Sequence, residues 1–548
     1  REALPISIRL VKGAYWDYEI VVARQKNWPV PVYTQKPETD AAFERIARRI
    51  LENHDIVHLA VGSHNIRSVA AVLELARELD VSDDRYEFQV LYGMAEPVRK
   101  ALRDEVERVR LYCPYGELLP GMAYLVRRLL ENTANESFLR QSFVEDTDIG
   151  RLLENPSVRL TSSPSNRSAP DEGSDSEEKD EFRNEPAPDF SRSEQREAYA
   201  EALTSVRKQL GKMYSLHIGG REVESEATIV NPANPSEATG HVHQAGTEQV
   251  DEAVEAAKDA FPAWRDTEPR KRAAFLERAA EIARRRLFEL AAWQTLEVGK
   301  QWDQAYADVT EAIDFLRYYA REMLRLAPGH DPGDLPGEEN AYFYRPKGVA
   351  AVIAPWNFPL AISCGMASAA IVTGNCVVYK PSERSPIAGH TLLELFREAG
   401  LPPGVFNYVW GRPEAIGDYL VEHPGVSLIA FTGSMKVGLR ILQKAAVVHE
   451  GQTQVKKVIA EMGGKNAIIV DDDADLDEAV PAVIESATSY QGQKCSACSR
   501  AIVLDAIYDR FVERLIEAAR SLKVGPAEDP ANAFGPVIDE RAQKTILE

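Results

Sequence analysis

Residues 427–438 read SLIAFTGSMKVG, an apolar run that ends in Thr-Gly-Ser and passes directly into a helical pattern. Such a turn leaves backbone N–H groups free at the positive end of the helix dipole, where a phosphate can bind. The same residues also form an ordinary helix cap, and capping is the commoner use of such a turn. The stretch alone therefore predicts a strand followed by a helix, and it leaves phosphate binding open.

Earlier apolar runs repeat this arrangement, with helical patterns between them. They are VAAVIA (349–354), NCVVYK (375–380) and VFNYVW (405–410). Their spacing predicts a Rossmann-like parallel sheet. A hairpin pattern at 215–225 and long amphipathic helices over about 247–326 precede it. A further α/β portion begins near residue 465 and continues to the end of the sequence.

The first part of the chain alternates short apolar runs with helical patterns in the same way. The runs are ISIRLVKG (6–13), IVHLAVGS (56–63), YEFQVLYG (86–93) and VRLYCPYG (109–116). Four such βα units predict a parallel sheet that forms half of an eight-stranded barrel. The following stretch, about 163–195, is rich in Ser, Pro, Asp and Glu, and we expect it to be a flexible linker.

Length and charge limit the possible functions. A chain of 548 residues is too long for a single core, so we expect two to four domains. With 85 acidic and 64 basic residues the net charge is −21, which argues against a nucleic acid partner. Five cysteines are sparse for a secreted protein and favour a reducing cytoplasm. The first residues lack Met and the last break off in a helical pattern, so we expect a fragment at both ends.

Polar residues follow the strands of the second half. In VVYKPSERSP, Lys380 and Glu383 could hold the ribose hydroxyls of a nucleotide, although a surface ion pair explains them equally well. In APWNFP, Asn357 lies in a rigid loop that could aim an amide at an oxyanion, whereas an Asn in a turn is usually structural. In AEMGGKN, Glu461 could act as a general base, and an exposed Glu at a helix end is the simpler interpretation.

The stretch YQGQKCSACSR (490–500) contains two cysteines three residues apart. A zinc site would need a second cysteine pair or histidines, and the other cysteines, Cys113, Cys364 and Cys376, are scattered. A thioredoxin-like dithiol would open a helix after an early strand, which this late position does not offer. We therefore interpret Cys495 as a nucleophile and Cys498 as a neighbour without a required role, and we expect no metal.

Five ordered motifs, APWNFP, YKPSE, FTGS, EMGGKN and GQKCSACSR, strongly resemble the aldehyde dehydrogenase superfamily. The last resembles its glutamate semialdehyde (pyrroline-5-carboxylate) dehydrogenase branch. By this resemblance Cys495 attacks the aldehyde, Asn357 and the Cys495 backbone N–H form the oxyanion hole, and Glu461 activates water. The resemblance also implies that NAD contacts the following residues: Trp356, Lys380, Glu383, Gly433 and Ser434. Ser496 is implied to contact substrate.

One departure from the dehydrogenase pattern concerns the end of the chain. The later Glu-x-Phe-Gly-Pro motif of the family, whose acid holds the nicotinamide ribose, has no match before Glu548. The loop that anchors the substrate carboxylate and the oligomerisation segment of the family would also follow this residue. We therefore expect turnover to require a longer chain.

The first region combines arginines with aromatic residues. In LYCPYGELLPGMAYLVRRLLEN, Tyr124 precedes Arg127 and Arg128 by three and four positions, so a helix would place its ring beside both guanidinium groups. Such a pair could receive a small carboxylate with an apolar ring. An ordinary lattice of Arg–Glu pairs on a surface explains the same residues and is favoured on the pattern alone.

Residues 4–143 resemble the C-terminal half of the proline dehydrogenase barrel, a flavin enzyme. This resemblance implies that Arg127 and Arg128 bind the proline carboxylate. It also implies that three tyrosines shape the pocket for the proline ring, namely Tyr15, Tyr112 and Tyr124. The residues implied to contact FAD are Arg9, His64, Gln89 and Glu131.

Together the two resemblances are those of the bifunctional proline utilisation family. We expect an α/β chain with residues 1–150 as half of a (β/α)8 barrel and 151–200 as an acidic linker. We expect 201–460 to be the NAD-binding domain and 461–548 an incomplete catalytic domain. The resemblance further implies proline and pyrroline-5-carboxylate as substrates, a homo-oligomer, a quinone acceptor and a cytoplasmic enzyme at the inner membrane.

Two rival functions need to be weighed. A non-catalytic scaffold is the first, and the intact set of Cys495, Asn357 and Glu461 argues against it. A transcriptional repressor would need a basic DNA-binding segment, which these residues do not include.

Overall fold

The computed structural model describes residues 6–13, 15–92, 96–113, 115–116, 153–158, 182–223, 228–232 and 234–548. The chain divides into two units, residues 1–179 and 180–548. Each unit is described by itself below.

The first unit contains a four-stranded parallel sheet in the order β1-β2-β3-β4. Its strands are β1 (Ile6–Leu10), β2 (Val57–Gly62), β3 (Tyr86–Leu91) and β4 (Val109–Tyr112). Its described helices are α1 (Trp16–Gln25), α2 (Lys36–Leu51), α3 (Ile66–Glu78) and α4 (Glu96–Glu105), with a 3₁₀ turn at Asp83–Arg85. Apolar residues of β2, β3, α2 and α3 form one core, in which Leu51, Leu59 and Phe88 are fully buried. The predicted series of βα units is confirmed.

A seven-stranded sheet dominates the second unit, in the order β14-β13-β10-β11-β12-β6-β7. A three-stranded sheet, β5-β9-β8, and a pair, β15-β16, accompany it. The strands up to β9 are β5 (Lys212–Tyr214), β6 (Leu216–Ile218), β7 (Arg221–Val223), β8 (Thr228–Asn231) and β9 (Asn234–Val242). The later strands are β10 (Val349–Ile353), β11 (Cys376–Lys380), β12 (Phe406–Tyr408), β13 (Val426–Gly433), β14 (Lys457–Met462), β15 (Asn466–Val470) and β16 (Cys498–Val503). Strands β10 to β14 are parallel, as the sequence predicts.

The second unit also contains helices before and after β10 in the sequence. Those before β10 are α5 (Ser193–Arg207), α6 (Thr247–Arg265), α7 (Pro269–Arg285), α8 (Leu287–Val298) and α9 (Trp302–Leu326). Those that follow are α10 (Ala361–Val372), α11 (Pro386–Glu398), α12 (Asp418–Glu422), α13 (Met435–Ala445), α14 (Leu476–Thr488), α15 (Tyr508–Arg520) and α16 (Glu540–Leu547). Short turns lie at Pro413–Gly417 (π), Ser489–Gly492 (3₁₀) and Asp505–Ile507 (3₁₀). No helix in the described parts of the chain has both the length and the apolarity needed to cross a bilayer.

The hairpin predicted at 215–225 extends the large sheet at one edge. β6 and β7 pair antiparallel through Gly219 and Gly220, whose φ angles of 57° and 85° suit a tight two-residue turn. β6 then pairs antiparallel with β12, where Tyr408 lies opposite His217. The first strands of this unit thus complete a sheet whose other strands come much later in the sequence.

The last part of the chain has a core of its own. Val470 on β15, Val480 and Val483 on α14 and Phe511 on α15 are buried against one another. This cluster is separate from the large core around β10 to β13. The prediction of a further α/β portion beginning near residue 465 is confirmed.

The predicted linker ends earlier than residue 200. From residue 182 the described chain is packed on the second unit, and α5 begins at Ser193. Glu185 has a buried carboxylate that accepts hydrogen bonds from Arg284 at 2.6 Å and Arg317 at 3.1 Å. Composition misled the prediction here because acidic residues that seem solvated find arginine partners on α7 and α9.

The start of helix α11 depends on a buried acid. Glu297, at the end of α8, is 1% exposed, and its two carboxylate oxygens accept the N–H groups of Ile387 and Ala388 at 2.7 Å each. Burial raises the pKa of Glu297 to about 8, and the two N–H donors oppose that rise. The acid therefore satisfies two donors at a helix start that would otherwise be buried without partners.

Replacing this acid is expected to destabilise the fold. The substitution Glu297→Ala leaves two buried N–H groups without acceptors, so we expect the free energy of unfolding to fall by about 2–5 kcal/mol. Urea denaturation measures the change. Glu281→Ala on α7, where the side chain is 62% exposed, is the matched control and should cost at most about 1 kcal/mol. Equal midpoints for the two variants would contradict this role of Glu297.

Candidate active site

The register of the parallel strands aligns the site residues of the second unit. Ile353 at the end of β10 lies opposite Lys380 on β11 and opposite Phe431 on β13. On β14, Glu461 lies opposite Thr432. The segments that follow β10, β11, β13 and β14 therefore leave the sheet on the same side, at the C-terminal ends of the strands. Open α/β sheets bind their ligands there, and this side is called the sheet edge below.

The turn after β13 is shaped by a required glycine. A Cβ at Gly433 would lie 2.6 Å from the ring of Phe431, so a side chain does not fit there. Ser434 is exposed and caps α13, with its hydroxyl accepting the N–H of Val437 at 3.4 Å. The capping role is thus observed. The start of a helix of 11 residues also remains accessible to an anion.

Lys380 is buried at the end of β11. Its side-chain nitrogen donates to the carbonyl of Pro381 at 3.1 Å, and the residue is 4% exposed. Burial lowers the pKa of Lys380 to about 8, and the carboxylates of Glu383 and Glu414 oppose that change. The surface ion pair considered above is wrong for this lysine, because its ammonium lies inside the protein while Glu383 is half-buried.

Asn357 joins the sheet edge to the cysteine segment. Its side-chain amide donates to the carbonyl of Gln493 at 2.8 Å, two residues before Cys495. An amide carries two N–H bonds, so one donor is left over for a second acceptor. Next to it, the ring of Trp356 lies 6.2 Å from that of Tyr490. The loop after β10 and the segment leading to Cys495 are therefore in direct contact.

The segment after β14 reaches Cys495 from another direction. The side chain of Asn466 donates to the carbonyl of Cys495 at 2.8 Å and to that of Ala497 at 3.3 Å. Glu461 lies five residues earlier, exposed on β14 and not at a helix end as the simpler interpretation assumed. The three motifs that contain Asn357, Glu461 and Cys495 thus meet at one place.

The backbone before Cys495 is unusual. Tyr490, Gln491 and Gly492 have φ angles of 51°, 57° and 67°, so three successive residues adopt the left-handed conformation. For the two residues with side chains this conformation costs about 1–3 kcal/mol each and persists only when its surroundings enforce it. Gln491 donates to the carbonyl of Pro536 at 2.6 Å, which is one of the contacts that hold the turn.

The two cysteines of this segment differ in their contacts. Cys495 and Ser496 are exposed at the turn, whereas Cys498 is half-buried at the start of β16 with its thiol 3.3 Å from the carbonyl of Arg500. Cys364 and Cys376 are buried, and burial raises the pKa of both thiols, that of Cys376 to about 12. Among the described cysteines of the second unit, Cys495 alone is exposed, which agrees with its interpretation as the nucleophile of this unit.

In the first unit, polar residues form a chain across the sheet. Arg9 on β1 donates to Gln89 on β3 at 2.7 Å, passing over Gly62 on β2, where a Cβ would lie 3.0 Å from the guanidinium. Gln89 donates in turn to Glu87, which also accepts two bonds of 2.9 Å from Arg110. Burial tends to raise the pKa of Glu87, and these donors outweigh it, so the pKa lies below its usual value.

The other barrel residues are only partly described. His64 accepts the N–H of Leu91 at its Nε2 atom, at 3.1 Å, so its ring proton is on Nδ1. Tyr15 and Tyr112 are exposed near the ends of β1 and β4. Four predicted residues lie outside the described part of the chain, namely Tyr124, Arg127, Arg128 and Glu131.

Two family models match the sequence in this order. The proline dehydrogenase model matches residues 1–141, and the aldehyde dehydrogenase family model matches residues 220–548. The chain belongs to the aldehyde dehydrogenase family. Its fold and both resemblances stated from the motifs are thereby confirmed.

Individual proteins that are similar to this chain agree with the match to the aldehyde dehydrogenase family. A 1-pyrroline-5-carboxylate dehydrogenase of Geobacillus kaustophilus is 48% identical over 369 residues, which are 67% of this chain and 72% of that protein. A crystal structure of a 1-pyrroline-5-carboxylate dehydrogenase from Thermus with bound NAD has a TM-score of 0.66 at 45% identity, covering 67% of this chain and 72% of that one.

A match to proline utilization A from Bdellovibrio bacteriovorus covers both units of this aldehyde dehydrogenase family member. The crystal structure has a TM-score of 0.91 at 48% identity and covers 99% of this chain. The chain spans 56% of the length of that protein.

The sequence patterns did not predict some features of this site. Asn466 is part of the quoted EMGGKN motif, but no pattern in the motif shows that its amide binds the Cys495 carbonyl. The left-handed turn at Tyr490 and Gln491 was equally hidden, since only Gly492 is of a type that indicates such a conformation. Both features depend on contacts between distant segments.

The contact between Asn466 and the cysteine turn can be tested by hydrogen exchange. Asn466→Ala removes two bonds to backbone carbonyls, and one such bond is worth about 0.5–1.5 kcal/mol. We expect the amides of residues 494–498 to exchange about threefold to tenfold faster, as followed by mass spectrometry. Asn340→Ala, which removes an amide bonded only within the exposed loop at 333–340, is the control. Unchanged exchange at 494–498 would refute the contact.

Proposed function

We propose that the second unit oxidises glutamate γ-semialdehyde to glutamate with NAD, and that the first unit supplies half of an FAD-dependent proline dehydrogenase. The observation that carries the proposal is the meeting of Asn357, Cys495 and the Glu461 segment at the sheet edge. The relatives named pyrroline-5-carboxylate dehydrogenase support the substrate, since that imine opens by hydrolysis to the semialdehyde.

The reaction begins at the exposed thiol of Cys495. As a thiolate it attacks the aldehyde carbon, and the carbonyl oxygen becomes an oxyanion. The second N–H bond of the Asn357 amide and the backbone N–H of Cys495 stabilise that charge, a contribution of roughly 3 kcal/mol for one such donor. Ser496, exposed beside the nucleophile, would contact the substrate.

NAD bound at the sheet edge would supply the acceptor for the hydride that leaves the former aldehyde carbon, and Cys495 then holds the acyl group as a thioester. Glu461 is exposed on β14 and can take a proton from water, which then attacks the thioester and releases glutamate. The C–S bond breaks in this step, and the thiolate of Cys495 takes up the proton of the new carboxylic acid, so the free thiol is restored. Glu461 returns its proton to solvent.

The residues of the sheet edge fit a dinucleotide. Lys380 and Glu383 offer a donor and an acceptor for the hydroxyls of the adenosine ribose. Gly433 and Ser434 lie at the start of α13, whose free N–H groups suit the pyrophosphate, and Trp356 lies in the loop after β10. Gly433 allows the ring of Phe431 to pack against the turn, because a Cβ there would meet that ring.

In the first unit we propose that Arg9 and Gln89 contact the flavin, with His64 on the same side and Tyr15 and Tyr112 at the proline pocket. The bond between Arg9 and Gln89 supports this grouping. The proposal also includes Tyr124, Arg127, Arg128 and Glu131. We further propose a homo-oligomeric, cytoplasmic enzyme that passes electrons to a quinone at the inner membrane.

Two substitutions test the dehydrogenase activity. In the full native chain, Cys495→Ala should abolish NAD reduction with pyrroline-5-carboxylate. Glu461→Gln should give a rapid burst of about one NADH per site followed by little turnover, because the thioester forms and is not hydrolysed. Stopped-flow absorbance at 340 nm resolves the two phases.

The control for this test is Cys498→Ala, which should keep activity within about twofold, since that thiol faces Arg500. Loss of activity in this variant would indicate a dithiol site. A native chain without activity would favour the non-catalytic scaffold.

A pH dependence follows from the buried lysine. Because the pKa of Lys380 is lowered to about 8, its charge is present at pH 7 and largely lost at pH 9. We expect the Kd for NAD to rise about threefold to tenfold over that interval, since a neutral amine donates more weakly to the ribose. Quenching of tryptophan fluorescence measures Kd. Lys380→Gln should bind NAD weakly with a flat profile, and a flat profile in the native protein would exclude this role.

A further inference from the structure

A buried ion pair lies outside the proposed chemistry. Lys300 and Asp308 are both 0% exposed, and the ammonium donates to one carboxylate oxygen at 2.9 Å. Lys300 lies in the turn between α8 and α9, and Asp308 lies in the second turn of α9. Removing two charges from water is costly, so such a pair is weak evidence for stability and needs another explanation.

The second carboxylate oxygen of Asp308 points to the oxyanion loop. It accepts the backbone N–H of Ala361 at 2.8 Å. Ala361 is the first residue of α10, four positions after Asn357. This bond therefore fixes the end of the APWNFP loop, in which Asn357 lies, to helix α9.

The ammonium of Lys300 contacts both catalytic segments. It lies 4.0 Å from the ring centre of Phe358, the neighbour of Asn357, and 5.2 Å from that of Tyr490. A cation over an aromatic face is attracted by the ring, most strongly when water is excluded. Since Tyr490 begins the left-handed turn before Cys495, one charge holds a residue of each segment.

Neighbouring residues of the same turn hold the nucleophile segment further. The hydroxyl of Tyr490, itself fully buried, donates to the carbonyl of Val298 at 3.0 Å. The side chain of Gln301 donates to that of Gln491 at 3.2 Å. The turn between α8 and α9 is thus part of what enforces the left-handed conformation of Tyr490 and Gln491.

We propose that the Lys300–Asp308 ion pair is a positioning element that sets the Asn357 amide against the Cys495 turn. Asp308 holds the helix that follows Asn357, and Lys300 bridges Phe358 and Tyr490. Neither residue touches substrate. The inference rests on the proposed function for the roles of Asn357 and Cys495, whereas the contacts themselves do not depend on it.

The test compares single and double variants of the full native chain. Lys300→Met or Asp308→Asn alone leaves a buried charge without its partner and is expected to lower the melting temperature. The double variant Lys300→Met/Asp308→Asn removes both charges at similar volume and is expected to regain most of that loss. It therefore separates positioning from stability.

We expect the double variant to lose at least tenfold in kcat while its KM for NAD changes less than twofold. We also expect amide exchange at residues 490–497 and 356–362 to become at least threefold faster, with helices α6 and α7 unchanged. Thr295→Val, which breaks the buried bond of 2.8 Å between Thr295 and Tyr199, is the matched control and should show neither change.

Recovery of native kcat and native exchange in the double variant would show that the pair is only structural. If the double variant does not fold, Phe358→Leu decides, because it keeps the ion pair and removes the ring over which Lys300 lies. It should lose at least threefold in kcat with the KM for NAD unchanged, and native kcat would overturn the proposal. If the native chain lacks the proposed activity, the exchange measurement still decides the inference.

Discussion

The parallel hydrogen-bonded register of β10, β11, β13 and β14 is the constraint on which the site depends. Because strands in a parallel sheet all run in one direction, the loops that follow them emerge at the same edge. Segments separated by up to about a hundred residues in sequence, from Asn357 to Glu461, are thereby brought together. The chemistry then needs only one further segment, the cysteine turn, which two side-chain amides attach to that edge.

Those two amides bind the cysteine turn at different carbonyl groups. Asn357 donates to the carbonyl of Gln493 from the sheet side, and Asn466 donates to the carbonyl of Cys495 from the segment after β14. Both act on backbone carbonyls of the turn, in which the N–H groups of Gln493 and Ala497 donate to the carbonyls of Tyr490 and Lys494. The backbone N–H of Cys495 makes no such bond in the described part of the chain, as the proposed oxyanion hole requires.

Sequence patterns predicted the strands well, because fully buried runs such as Val377–Tyr379 are nearly continuous in apolar residues. The sequence also singled out Asn357, Glu461 and Cys495, and their catalytic roles, which come from the resemblance to the aldehyde dehydrogenase superfamily, stay a prediction. Patterns could not reveal the left-handed turn at Tyr490, nor that Lys380 is buried, because both depend on which distant side chains surround them. The predicted end of the linker was wrong for the same reason, because Glu185 has arginine partners more than ninety residues away in sequence.

The pairing of β6 with β12 also bears on how the chain reaches its fold during synthesis. Tyr408 leaves the ribosome roughly 190 residues after His217, its partner in the ladder. At a synthesis rate of about 5–20 residues per second, the edge of β6 lacks its partner strand β12 for on the order of ten to forty seconds. An unpaired strand edge invites association with other chains. This edge is short, three residues long, and that brevity limits the hazard during translation.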